Sequence, residues 1–201
     1  MNTKHFLIFL ICLLFLSSCQ PGFKKVNGEW AWVSYDKGEG KSINTLPNVD
    51  NASFQKLKAG NGQYAKDKNQ VYYLKDVIDD ADPASFNIIN NQGYAKDNQY
   101  VYLDYQKVIY ANPKYFELLS FPYAKDNKRI FCGTLPMEVK NINTFKVTQT
   151  SEIMNYLAVS LFVEKNPTYK WLEGLDIKGV IYGQGKGETD TEKFESFHKV
   201  D

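Results

Sequence analysis

Tyr-Ala-Lys-Asp occurs at 64–67, 94–97 and 123–126, in copies 30 and then 29 residues apart. A fixed period of this size marks a repeat architecture. Each unit is one supersecondary element that buries its apolar face only against its neighbours. Seven residues after each opening Tyr comes an apolar run: Val71-Tyr72-Tyr73, Val101-Tyr102-Leu103 and Ile130-Phe131-Cys132. Fifteen residues after the start of each run stands a Phe, preceded four residues earlier by Asp or Asn: Asp82 to Phe86, Asn112 to Phe116 and Asn141 to Phe145. Two spacings held across three copies exclude chance similarity.

Weaker copies flank these. Asp50 to Phe54 repeats the second anchor, and the region of Trp30, Trp32 and Tyr35 stands where its first half should be. Downstream, Phe162-Val163-Glu164-Lys165 takes the place of the opening motif, and Tyr169-Lys170-Trp171 follows at the same spacing. A last anchor, Asp190 to Phe194, arrives late because the Gly-rich stretch 179–187 interrupts the unit. The expectation is about five units, near 29–57, 58–89, 90–119, 120–148 and 149–197, with the outer two degenerate. Residues 19–28 form a tether.

Short Tyr-, Val- and Ile-rich runs bounded by Asn, Asp, Gly and Lys read as strands. Asp-Lys-Asn and Asp-Asn are turn formers, because their short side chains bond nearby backbone. Residues 64–67 should therefore pair with 70–74 in an antiparallel hairpin, and likewise in the next two copies. Asp82-Pro83 and Asn112-Pro113 fit an N-cap with Pro at the first helical position, one helical turn that delivers Phe86 or Phe116 to the core. The segment after each Phe supplies a third strand. The expected fold is mainly β, stacked antiparallel units in an open or curved sheet, with a propeller-like closure as the alternative. The spacing of Ile153, Met154, Leu157, Ala158 and Leu161 predicts a short helix at about 151–158 that passes into a strand.

The N-terminus carries the other strong signal. Lys4 and His5 precede an apolar run from Phe6 to Leu16, which has secretory-signal length and is too short for a spanning helix of ~20 residues. Leu16-Ser17-Ser18-Cys19 resembles the bacterial lipobox. The resemblance implies cleavage before Cys19 and acylation of that residue, and each buried CH₂ would add ~0.8 kcal/mol of anchoring. Gln20 is not acidic, which implies outer-membrane sorting if the host is Gram-negative. The chain is thus expected in a bacterial cell envelope, held to the membrane by lipid.

Chemistry is sparse. The only histidines are His5 and His198, so no Ser-His-Asp or Cys-His set can be assembled, and no zinc spacing exists. The Asp residues lack the alternating pattern of a calcium loop. Gly183 to Gly187 lacks the context of a phosphate loop. Cys132 is left as a small hydrophobe once Cys12 leaves with the leader and Cys19 is lipidated. The net charge of +1 gives no nucleic-acid footprint. These features read as a non-enzymatic protein without cofactor or metal. The remaining candidates are aromatic: Tyr72, Tyr73, Tyr100, Tyr102, Tyr105, Tyr110 and Trp171. Of these, Tyr72, Tyr73, Tyr100, Tyr102 and Trp171 are the residues an exposed stripe for an envelope protein or glycan would use. The opposing reading is that Tyr simply fills sheet faces, and a purely structural envelope protein is then the alternative.

Asp67-Lys68-Asn69-Gln70-Val71-Tyr72-Tyr73 resembles the hairpin motif that names the DKNYY family, with 97–102 and 126–131 as variants. Asp82 to Phe86 looks like that family's following element. The resemblance covers about 60–197, fades over 30–57, and breaks at 148–160 and 178–189. It implies an exported repeat protein, often a lipoprotein, and supplies no catalytic residues.

Overall fold

Each repeat folds into a sheet of its own. The computed structural model describes residues 20–200. The leader and lipidation at Cys19 fall outside them. The chain divides into two compact units, one ending at Val77 and one beginning at Ile78, and each is described by itself.

The first unit opens with a three-stranded antiparallel meander of β1 (Gly22–Val26), β2 (Glu29–Asp36) and β3 (Gly40–Thr45). Strand β1 lies within the stretch expected to be a tether. Trp30, Trp32 and Tyr35 lie on β2, whose eight residues far exceed a repeat strand. A four-stranded sheet follows, with β4 (Gln55–Lys56), β5 (Tyr64–Lys66), β6 (Val71–Tyr73) and β7 (Asp76–Val77) in chain order. Phe23, Leu46, Ala65 and Tyr72 form the buried core, with Trp30, Trp32 and Phe54 packed against it.

The second unit repeats that sheet twice in unbroken form. One copy is β8 (Asn87–Ile88), β9 (Tyr94–Lys96), β10 (Val101–Leu103) and β11 (Gln106–Lys107). The other is β12 (Glu117–Leu118), β13 (Tyr123–Lys125), β14 (Ile130–Cys132) and β15 (Leu135–Met137). The predicted hairpins and third strands are present, and Tyr64 faces Tyr73, Tyr94 faces Leu103 and Tyr123 faces Cys132. A short fourth strand also follows each apolar run, beyond the three strands the spacing predicts.

Packing explains the spacing. Each second-anchor Phe lies against the central aromatic of the next hairpin: Phe54 on Tyr72 at 5.9 Å, Phe86 on Tyr102 at 5.8 Å and Phe116 on Phe131 at 6.0 Å between ring centroids. Ala65, Ala95 and Ala124 sit cross-strand from those aromatics and are fully buried. A larger side chain would take the volume the rings occupy. In the third copy, Ala124 and Phe131 pack into one core, and Tyr123, Ile130 and Cys132 into another. Both faces of the hairpin are therefore buried, as stacking of units requires.

The last repeat differs from the sequence reading. Strand β16 (Lys146–Gln149) pairs with β19 (Lys186–Glu188), which continues into β20 (Lys193–Glu195) and β21 (His198–Val200). This is the four-strand pattern again, split by an inserted segment of 150–185. Gly187 stands where the other copies have Ala, and a Cβ there would run into the Phe145 ring. Phe194 takes the position of Tyr102 and packs on Phe145 at 5.9 Å. The first residue of the tight turn has positive φ in all four copies: Leu74, Asp104, Gly133 and Ser196. The amide of each bonds the residue just before its hairpin, at Gln63, Gly93, Pro122 and Gly185. So 162–165 is not an opening motif, and 190–194 is part of a hairpin rather than an anchor.

The inserted segment also reverses the helix expectation. Residues 154–158 are strand β17 (Met154–Ala158), paired over five residues with β18 (Gly179–Gly183). Helix α1 (Val159–Lys165) comes after it, buries Phe162 and Val163, and ends before Pro167 at Asn166. A 3₁₀ run spans Pro167–Gly174. Pairing with the buried Val180 and Ile181 outweighed the local helical spacing.

Candidate functional site

The repeated motif is a fastening. Asp67, Asp97 and Asp126 are all buried. One carboxylate oxygen of each accepts the two amides of its own turn. For Asp67 these come from Asn69 at 2.7 Å and Gln70 at 2.8 Å. The other oxygen accepts the backbone amide that opens the preceding anchor: Asp50 at 2.8 Å, Asp82 at 3.0 Å and Asn112 at 3.0 Å. Tyr72 and Tyr102 add their hydroxyls at 2.9 and 2.8 Å. Burial opposes ionisation of Asp67, but these donors outweigh it and hold its carboxyl below the usual range. In the split repeat the role divides. Thr189 Oγ1 accepts the amides of Thr191 and Glu192, and the Glu192 carboxylate accepts the amide of Lys140.

This geometry decides where the candidate aromatics lie. Tyr72 and Tyr102 are fully buried and Tyr73 is 8% exposed, so none of the three offers a ring face to a ligand. The stripe built on them does not exist. Tyr100 is exposed, with the Lys107 ammonium 4.3 Å above its ring. Tyr105 is half-buried. Cys132 is buried, and burial pushes its thiol up to about 12, which leaves it protonated and unreactive.

Trp171 is different. It is 41% exposed and stacks on Tyr110, itself 55% exposed, with centroids 5.8 Å apart and planes 19° from parallel. Tyr110 belongs to the repeat array and Trp171 to the inserted segment. The two stand over a groove of about 610 Å³ whose lining includes Arg129, Glu138, Tyr169 and His198. That size lies within the ordinary range for ligand sites. Burial first, and the nearby Glu138 carboxylate second, push the Tyr169 hydroxyl up to about 12, so at neutral pH it remains a donor.

The insertion is firmly set against the array. The Thr134 amide bonds the Ile181 carbonyl at 2.7 Å, and the Ile181 amide returns a bond to Thr134 Oγ1 at 2.9 Å. A Cβ on Gly133 would collide with the Ile181 carbonyl, so only glycine fits this turn. Tyr156 donates to Asp104 at 2.6 Å.

Tyr110 is in a left-handed conformation, with φ of 61°. The matching positions in the two preceding copies are Asn48 and Asp80, also at positive φ. Asn and Asp tolerate that region, whereas for a bulky ring it is strained. Strain of this kind points to a task for the side chain. Arg129 is the only arginine in the chain, and no motif or spacing marks it. Its guanidinium lies 5.6 Å from the Tyr110 ring centre. A second cavity of about 630 Å³ is lined by Gln149, Asn155, Gln184, Lys186 and Glu195. Lys186 and Glu195 there neutralise each other at 2.6 Å. Among the described residues no group of three or more His, Cys, Asp or Glu could hold a metal ion, and no helix is long and apolar enough to cross a membrane.

Residues 33–172 match the model of the DKNYY family. The split fourth repeat closes beyond that span, at Val200. No curated protein and no solved structure matches the chain.

Proposed function

The chain belongs to the DKNYY family, and on that premise we propose that it is a lipid-anchored bacterial envelope protein that acts by binding, holding an envelope protein or glycan in the groove beside its inserted segment. The β repeats serve as the rigid support. The observation that carries the reading is the Tyr110–Trp171 stack: two large exposed rings over a groove, one of them in a strained backbone conformation that its sister units fill with Asn or Asp. The dearth of histidine and the inert thiol favour binding over turnover.

Pull-down from the organism's own envelope extract tests this. The wild-type chain should recover a specific partner, and Tyr110→Ala with Trp171→Ala should lose it while keeping the same unfolding midpoint. A partner retained by the double variant, or turnover with no partner, would refute the proposal.

Anchoring is tested separately. The support for it is Leu16-Ser17-Ser18-Cys19 after a short apolar run. Cys19→Ala should abolish incorporation of a clickable fatty acid and move the protein out of the lipid-anchored fraction. Label that survives the substitution would remove Cys19 as the acceptor.

A further inference from the structure

We infer that the ligand of this groove is an acidic saccharide, its ring laid on Trp171 and its carboxylate held by Arg129. The inference rests on the binding reading above and narrows it to one chemistry.

The first observation is which exposed rings are already covered. Lys107 lies over Tyr100, Lys114 over Tyr115 and Arg129 over Tyr110. Among the described residues no cation lies over Trp171 or over the exposed Tyr156, and of these two it is Trp171 that borders the groove. Its ring meets Tyr110 and, at 6.2 Å and tilted, Tyr169, and its 41% exposure leaves apolar surface open beside the groove. A pyranose has one face of C–H bonds, and such a face suits the exposed part of a flat indole.

The second observation is the choice of arginine. The chain carries 24 Lys and Arg together, and position 129 holds its only Arg. The matching positions in the preceding copies are Gln70 and Tyr100. Arg129 is half-buried, lies over the Tyr110 ring, and bonds the Tyr110 carbonyl through one nitrogen at 3.4 Å. Among the described residues it makes no ion pair with a carboxylate. A guanidinium presents a planar fork of donors that matches a carboxylate, which lysine cannot. The other groove cation, Lys199, is already engaged with Glu192 at 3.1 Å. Arg129 is thus the groove cation without a protein carboxylate. Glu138 and His198 supply acceptor and donor capacity for sugar hydroxyls.

A peptide fits less well. Strands β15 and β21 are the sheet edges that reach the groove, and each is three residues long. Pro136 removes one backbone donor from β15. An added strand would find few partners there.

The test uses the full chain in detergent and follows tryptophan fluorescence and calorimetry. The probes are an oligomer of galacturonic acid, its methyl ester, and a peptide of similar length with a free C-terminal carboxylate. The acid form should bind at least ~10-fold more tightly than the ester, the difference expected for one charge-assisted pair of ~1.4 kcal/mol or more. Added salt should weaken the acid form. Arg129→Gln should erase the preference without abolishing ester binding, and Trp171→Ala should weaken both. Equal binding of acid and ester would overturn the role of Arg129. Binding of the peptide alone would overturn the saccharide. If envelope extract yields a Trp171-dependent protein partner while no saccharide binds, this inference fails and the broader binding reading stands.

Discussion

Replacing Asp67 by Ala is expected to lower the unfolding free energy by at least ~3 kcal/mol, a large part of the ~5–15 kcal/mol that holds a typical domain together. The carboxylate is buried and accepts the amides of Asp50, Asn69 and Gln70 and the Tyr72 hydroxyl. Truncation leaves the three amides without their acceptor, while the Tyr72 hydroxyl keeps Gln70 Oε1 at 3.1 Å; each orphaned buried donor costs ~1–3 kcal/mol, partly relieved by entering water. Asp67→Asn should cost less. Its carbonyl can keep the Asn69 and Gln70 amides, but its NH₂ meets the Asp50 amide donor to donor. Tyr72→Phe removes the hydroxyl's bond to Asp67 and its longer ones to Gln70 and Pro47, yet leaves the three amides on the carboxylate, and should cost only ~1 kcal/mol. The order Ala, Asn, Phe in denaturant midpoint is the measurement. Asn equal to wild type would show that the charge is not needed.

The same carboxylate carries a pH signature. Its folded pKa is depressed, so the unfolded chain binds the proton more tightly. The contribution is complete above the unfolded value of ~3.9 and is lost as the pH falls through the folded one. Midpoints measured from roughly pH 6 down to pH 2 should decline on the acid side, and Asp67→Asn should flatten part of that decline. A decline of equal slope in the variant would assign the acid sensitivity to other groups.

The second large effect is at the anchors. Phe116→Ala and Phe86→Ala should each cost ~3–5 kcal/mol. Phe116 is 8% exposed and lies between Tyr94 at 5.6 Å and Phe131 at 6.0 Å. Phe86 is 6% exposed and packs on Tyr102. Removing either ring empties a layer bounded by aromatics that cannot collapse without shifting a hairpin. Tyr115→Ala, next to Phe116 in sequence but 44% exposed with only Lys114 over its ring, should stay within ~0.5 kcal/mol. Similar small losses at all three sites would mean that the anchors do not carry the packing between repeats.

The aromatic groove shows why binding here was harder to read than folding. Tyr110 and Trp171 are 61 positions apart in the chain, and no spacing rule links them. They meet because Thr134 and Gly133 dock the inserted strand β18 against the array. Tyr72 and Tyr102 looked equally suited to a ligand. They are consumed by the Asp67 and Asp97 fastenings, each five residues back in the chain, where the hydroxyl that could have faced solvent satisfies a carboxylate that folding buries.

What the sequence by itself determined is the repeating unit: its period, its hairpin, its Asp-centred turn and its Phe anchor. All of these rest on contacts within about 30 residues, which recur with the motif. It also marked the family, through residues that build the turn. The tertiary structure alone decided three things. It placed the fourth hairpin at 186–200, across an insertion from its partner strand. It made 154–158 a strand, because pairing with Val180 and Ile181 outweighs a local apolar spacing that suits a helix equally well. It separated buried rings from exposed ones, because side-chain chemistry is the same in both places and only the neighbours brought by folding distinguish them.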